Sequence, residues 1–177
     1  MIKTTHGHIR IADPDDAPFL HGFYDMKTPR AALLDTRREP LMPAVAELRE
    51  LLGRKEAMQG LFYAIEDDTG AVRGFCSLRG MNQEASFGEV TLLLDDAGYE
   101  APLADEALSF LLARAFTNLR LNKLMAHSLT LETRWRDFLK RHGFEDAGTL
   151  RECFFGGGQW HDIHLYTLVP AAPAVRN

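Results

Sequence analysis

Apolar and polar residues alternate with period two at His8 to Ala12, which predicts a short strand. Asp13-Pro14-Asp15-Asp16 follows. A capping carboxylate, a proline in the first turn and acidic residues at the positive end of the dipole predict a helix start, continued through Phe19, Leu20 and Phe23. Residues 26–43 carry Pro29, Pro40 and Pro43 and read as a loop or broken helix. Ala44 to Lys55 then spaces Val45, Leu48, Leu51 and Leu52 along one helical face.

The period changes at Leu61. Leu61 to Glu66 reads as a strand, Asp67-Asp68-Thr69-Gly70 as a turn, and Val72 to Leu78 as the returning arm of a hairpin. Phe87 to Leu94 is a further strand, stopped by Asp95-Asp96-Ala97-Gly98. Pro102 to Leu119 has a broad apolar helical face through Leu103, Ala107, Leu108, Leu111, Leu112, Ala115 and Phe116. Lys123 to Thr130 is a strand. Glu132 to His142 is a helix with Trp135, Phe138 and Leu139 inward, ended by Gly143 as a left-handed cap. Phe144 to Phe155, Gly156-Gly157-Gly158 and Trp160 to Leu168 form a long last hairpin. The order β-α-α-β-β-β-α-β-α-β-β is a meander followed by alternation, which predicts an α/β (α+β) mixed sheet with helices on both faces.

Composition narrows the function. The chain has 177 residues, enough for one domain, and 46% hydrophobic residues, enough to build its core. A formal net charge of −5 repels phosphate backbones, so nucleic acid is not an expected partner. The N-terminus lacks the apolar core of a signal peptide, and no stretch approaches the roughly 18 apolar residues that span a bilayer. The expectation is a cytoplasmic protein without a membrane partner. Cys76 and Cys153 sit in apolar strand-like runs, make no metal motif, and are expected to be small buried hydrophobes. His161 and His164 fall on opposite strand faces, and His6 with His8 offers only two ligands, so no metal is expected. Gly156-Gly157-Gly158 has no helix after it and reads as a hairpin turn rather than a phosphate loop.

Three segments resemble the GNAT N-acetyltransferases, and in particular their ribosomal-protein and amino-sugar branch. Gly143 to Glu152 (GFEDAGTLRE) matches a GF-x-x-x-G-x-x-R passage, LADEALSFLLARAFTNLRLNKL matches a central helix and its following strand, and QWHDIHLYTL matches a last strand. The opening IRIADPDDAPFL also fits. The resemblance covers about residues 7 to 169. It implies a mainly antiparallel seven-stranded sheet, a single acyltransferase domain at 1–170, and a flexible C-terminal tail at 171–177.

The resemblance also implies chemistry. Such proteins move an acyl group from acetyl-CoA, or another acyl-CoA, to an amine. The cofactor arm pairs with backbone on the strand that holds Leu92, Leu93 and Leu94. Its pyrophosphate sits on the next helix N-terminus, where unpaired N–H groups and the dipole attract anions. The aligned loop runs from Gly98 to Asp105, making Tyr99, Ala101, Leu103, Ala104 and Asp105 the expected cofactor contacts. It departs from the family pattern: the inner glycines fall on Pro102 and Ala104, and the basic positions near Glu100 and Ala101. The helix is therefore either capped by its own side chains or retains a weakened phosphate site.

Glu89 stands where many relatives carry a glutamate, and a carboxylate can take the proton an ammonium must lose. Burial beside the thioester would raise its pKa. A strand residue with a salt-bridge partner is the alternative. The family's tyrosine acid falls on Leu139, its asparagine on Glu132 and its serine on Trp135. His127 or Ser128 is the substitute acid, although a structural role also accounts for His127. Tyr24, Trp160 and His161 are expected to line the acceptor cleft. Arg134, Arg136, Lys140 and Arg141 read either as a solvated helix face or as a site for an acidic 3′-phosphate. The implied function is acyl transfer to a small-molecule or protein amine. The alternatives are a catalytically degenerate GNAT-fold binding module and, compatible with either, a homodimer.

Overall fold

The computed structural model describes residues 1–24, 43–54, 60–82, 84–95, 97–156 and 158–170. The proline-bearing segment expected at 26–43, apart from Pro43, and the tail at 171–177 lie outside these. The strands are β1 (Ile2–Lys3), β2 (Gly7–Ile11), β3 (Gly60–Asp67), β4 (Val72–Asn82), β5 (Phe87–Leu93), β6 (Lys123–Leu129), β7 (Glu145–Gly156) and β8 (Gln159–Leu168). The helices are α1 (Ala17–Gly22), α2 (Val45–Gly53), α3 (Pro102–Leu112) and α4 (Thr133–Arg141).

All eight strands form one sheet in the order β1-β2-β3-β4-β5-β6-β8-β7. Every pairing is antiparallel except β5 with β6. The eighth strand is an addition to the seven expected. Ile2 and Lys3 pair with Ile9 and His8 after a tight turn closed by Thr4 N–H on the Gly7 carbonyl, 2.9 Å. Two residues carry no readable period, so the sequence did not announce it.

Both faces of the sheet are covered, which explains why the central strands are apolar throughout instead of alternating. Tyr63, Ile65, Cys76, Leu78, Val90, Leu92 and Leu94 pack against α3 and α4. Phe62, Ala64, Phe75 and Leu93 point the other way, against α1 and α2. Cys153, expected to be buried, is exposed. It lies in the part of β7 where the register with β8 shifts, between Leu150 and Phe154.

The helix signals resolve into specific contacts. Asp13 caps a single 3-10 turn, Pro14–Asp16, by accepting from Asp15 N–H, while the Asp16 carboxylate accepts from Asp13 N–H, 2.9 Å each. Asp16 also takes both Arg10 terminal nitrogens, at 2.7 and 2.8 Å, and Arg10 Nε donates to Glu66 at 2.7 Å. This ties the first turn to β2 and β3. Gly143 has φ 81°, the left-handed cap its position predicted. The long helix expected to reach Leu119 keeps α geometry only to Leu112, and a π turn, Ala113–Asn118, finishes it.

The β3–β4 turn hangs on one carboxylate. Asp67 accepts from Thr69 Oγ1 at 2.6 Å, Thr69 N at 2.9 Å, Ala71 N at 3.1 Å and Arg73 Nε at 2.6 Å. The Thr69 hydroxyl and then the Arg73 guanidinium hold its pKa well below the ordinary 3.8. A carboxyl depressed on folding stabilises above its unfolded pKa and loses that contribution as pH falls through the folded one. The melting temperature should therefore drop as pH falls below about 3.8, more gently in Asp67→Asn, as thermal denaturation between pH 6 and 2 would show.

Candidate functional site at the parting of two strands

β5 and β6 pair as Phe87↔Lys123, Gly88↔Leu124 and Glu89↔Met125. Beyond Glu89 no further pair forms among the described residues, and the two strands part. The fork leaves β5 beyond Glu89 unpaired with β6, at the backbone positions that the resemblance gives to a cofactor arm.

Two groups expected to matter meet at the fork. Glu89 Oε1 lies 2.8 Å from His127 Nδ1 and accepts from Arg79 NH2 at 3.2 Å. Register explains the meeting. Arg79 is directly across from Glu89 on β4, and His127 stands two residues beyond Met125, hence on the same sheet face. Arg79 was not singled out from the sequence. Burial pushes the Glu89 carboxyl up, but the His127 hydrogen bond and the Arg79 charge outweigh it, so its pKa lies below the ordinary 4.5. The expectation of a raised pKa is thus corrected: the carboxylate is ionised at neutral pH. An ionised carboxylate at Nδ1 favours the tautomer that carries its proton there.

Ser128 does not join them. It lies on the opposite face, fully buried, with its hydroxyl on the Leu129 carbonyl. Trp160 is also elsewhere: it is exposed near the tip of the β7–β8 hairpin, edge-on to Phe155 at 5.2 Å. His161 is buried opposite Phe154. Tyr24 packs with Phe23 on the cluster beneath α1 and α2.

The fork itself is filled by the chain's own side chains. Tyr99, 5% exposed, donates its hydroxyl to the Leu92 carbonyl of β5 at 2.9 Å. Trp135, 1% exposed, donates its indole N–H to the His127 carbonyl of β6, also at 2.9 Å. The rings pack together with centroids 5.7 Å apart, and Phe138 lies against both. Each arm of the fork thus has a main-chain carbonyl taken by an aromatic donor, Leu92 among the backbone positions expected to receive the cofactor.

The loop before α3 is equally occupied. Pro102 has no N–H, and Ala104 N–H is taken by the Ala101 carbonyl at 3.0 Å. Leu103 and Ala104 turn their side chains into the core. Glu100 pairs with Arg134 at 3.0 Å. Asp105 pairs with Arg141 at 3.2 Å and with His142 at 2.9 Å. Arg141 also donates to the Tyr99 carbonyl at 3.1 Å. Of the cationic cluster on α4, Arg134 and Arg141 are thus engaged in neutralising this loop. In this conformation the residues present do not fit a coenzyme A arm lying where the resemblance implies: aromatic rings hold that slot, and two carboxylates stand where its pyrophosphate would lie.

The comparisons with known proteins fit this architecture. A family model described as an acetyltransferase (GNAT) domain matches residues 9–165. The chain belongs to the GNAT acetyltransferase family. Its matched region is nearly the whole chain, and amine acetylation is the reaction of that family. Among solved structures, a spermidine N-acetyltransferase from Vibrio cholerae in complex with CoA and spermine is 20% identical, with a TM-score of 0.78, covering 94% of this chain and 96% of the other. A dodecameric form of that Vibrio cholerae enzyme gives 19%, 0.74, 94% and 95%. A probable acetyltransferase gives 22%, 0.77, 94% and 94%. At such identities these likenesses describe the fold. No curated protein sequence matches significantly.

Proposed function

We propose that this GNAT domain transfers an acyl group, from the family's acyl-CoA donor, to a primary amine presented at the fork of β5 and β6. The observation carrying this reading is the Glu89–His127 pair where the two strands part. An ammonium must lose a proton before it can attack. His127 is placed to take that proton, and ionised Glu89 stabilises the imidazolium that results. Ser77 and Thr91, paired across β4 and β5 one step along the same face, add hydroxyls. The buried Ser77 Oγ has no hydrogen-bond partner among the described residues.

Arg79 lies 3.2 Å from the same carboxylate, so cation and carboxylate cancel and the pair sets no charge preference among amines. The acceptor is a primary amine: a protein N-terminus, an amino sugar or a small molecule. Thiol release from acetyl-CoA should be detected with at least one of an N-terminal peptide, glucosamine and spermidine. No release with any amine would overturn acyl transfer.

The filled fork favours a second reading: a GNAT fold retained as a binding module after loss of its cofactor. In that case acetyl-CoA neither binds nor reacts, and Glu89→Gln changes nothing but stability.

A further inference from the structure

We propose that Arg79 is a positioning residue: held on the same Glu89 oxygen as His127, it aims that carboxylate across the fork and supplies its counter-charge, which leaves the amine proton to His127. This rests on the acyl-transfer reading above and adds to it the group that assigns the two roles. Three adjacent strands build the arrangement. Arg79 on β4 is paired directly with Glu89 on β5, and His127 stands on β6 two residues past Met125, the partner of Glu89. Glu89 Oε1 accepts from Arg79 NH2 at 3.2 Å and lies 2.8 Å from His127 Nδ1. A carboxylate oxygen has lone pairs for both. A glutamate side chain held by one partner still swings about it. Held from both flanking strands, it has one direction left. Room for the Arg79 stem is built in as well: Gly60 is opposite Arg79 on β3, and a Cβ there would stand 2.9 Å from the Arg79 Cβ.

The roles differ because the surroundings differ. The Arg79 and Glu89 side chains are 17% and 16% exposed, and His127 is 30% exposed. A carboxylate so far out of water is driven toward its neutral form, and a raised carboxyl competes for the proton that an ammonium sheds. The His127 hydrogen bond and the Arg79 charge reverse that tendency. Other charge nearby is sparse. β8 sets Leu165 opposite His127 and Thr167 opposite Met125, β4 and β5 continue on this face with Ser77 and Thr91, and Lys123 of β6 is exposed two residues before Met125. With Arg79 lost, burial acts against the His127 contact alone, and Glu89 turns from a counter-charge into a rival base.

Carbon-13 NMR of the glutamate side chains reads this in the protein without substrate, the Glu89 signal being the one lost in Glu89→Gln. Arg79→Gln should raise the Glu89 titration midpoint by about one pH unit. Arg79→Lys, which keeps the charge, should hold the midpoint near that of the unaltered protein. In turnover with acetyl-CoA, kcat of Arg79→Gln should gain an acid limb at the raised midpoint, with the amine KM nearly unchanged, and Arg79→Lys should lack that limb. Should Arg79→Gln not fold, His127→Gln serves: it leaves Arg79 on Glu89, so the midpoint should rise by about one unit or less. A midpoint unmoved in folded Arg79→Gln, a larger rise in His127→Gln, or a moved midpoint without an acid limb in an active enzyme would overturn the role of Arg79. A moved midpoint in a protein that acetylates no amine would overturn acyl transfer and leave the hold of Arg79 on Glu89 standing.

Discussion

Glu89→Gln should lower the acyl-transfer rate on the order of 10²- to 10⁴-fold, with the amine KM nearly unchanged. The substitution keeps size and leaves a carbonyl that can still accept from His127 Nδ1. What it removes is the negative charge, which bears on the reaction only once His127 has taken a proton. An interaction realised only then lowers kcat and not ground-state binding. Because His127 and Arg79 hold the Glu89 pKa below 4.5, Glu89 itself adds no acid limb to the rate profile between pH 5 and 8. A limb in that range belongs to another group. The variant also takes the counter-charge from Arg79, a loss of about 1.5–3 kcal/mol in stability. Steady-state kinetics beside a denaturation curve separate the two effects. Full activity in a folded Glu89→Gln protein would show that the proton goes elsewhere.

That prediction depends on a cluster only half legible in the sequence. Glu89 was readable from its place on a strand, and His127 from the next parallel one. Their meeting was not, because it depends on where the pairing of β5 with β6 stops. Arg79 was missed for a related reason. It opposes Glu89 only through the β4–β5 register, and that register is irregular between Arg79 and Asn82. Burial alone would raise the carboxyl, and the His127 hydrogen bond together with the Arg79 charge reverses the direction. Pairwise charge depends on tertiary distance, which no periodicity reports.

The helices and strands were legible because each is decided locally. Asp13, Pro14 and Asp16 determine a helix start within four residues, and Gly143 its counterpart at the end of α4. The π turn after Leu112 was not legible, since Ala115 and Phe116 continue the same apolar face that α geometry would use. The filling of the fork was half visible. Tyr99 in the loop, read as a cofactor contact, and Trp135, at a position where relatives carry serine, are both large, and both bear one donor. Only the fold shows that they reach the same space from opposite arms of the fork. The opposite charges of the loop and of α4 carried the same message. Arg134 and Arg141 were read as solvated or as phosphate ligands, while Glu100, which Arg134 now neutralises, was read as standing near a basic position of the family loop, and Asp105, now paired with Arg141, as a cofactor contact.

Arg10→Met should destabilise the protein by about 3 kcal/mol, a loss of roughly 6–12 °C in melting temperature for a domain of this size. Arg10 is the only cation bonded to the Asp16 carboxylate among the described residues, and Asp16 is 4% exposed. Removing the guanidinium leaves Asp16 a buried charge without its partner, and Glu66 loses the Nε donor as well. A buried pair contributes modestly when whole and costs far more when halved, because desolvation of the survivor is no longer offset. Asp16 cannot escape by turning to water, since it also accepts the Asp13 N–H that begins the first helix. The loss should therefore spread from β2 into α1. Asp16→Asn keeps an acceptor for Asp13 and removes the stranded charge. Combined with Arg10→Met, it should cost less than the two single changes added together, with a coupling of about 1–3 kcal/mol. Strict additivity across that double-mutant cycle would show that the Arg10–Asp16 contact carries no stability, and that the N-terminal helix is held to the sheet by apolar packing alone.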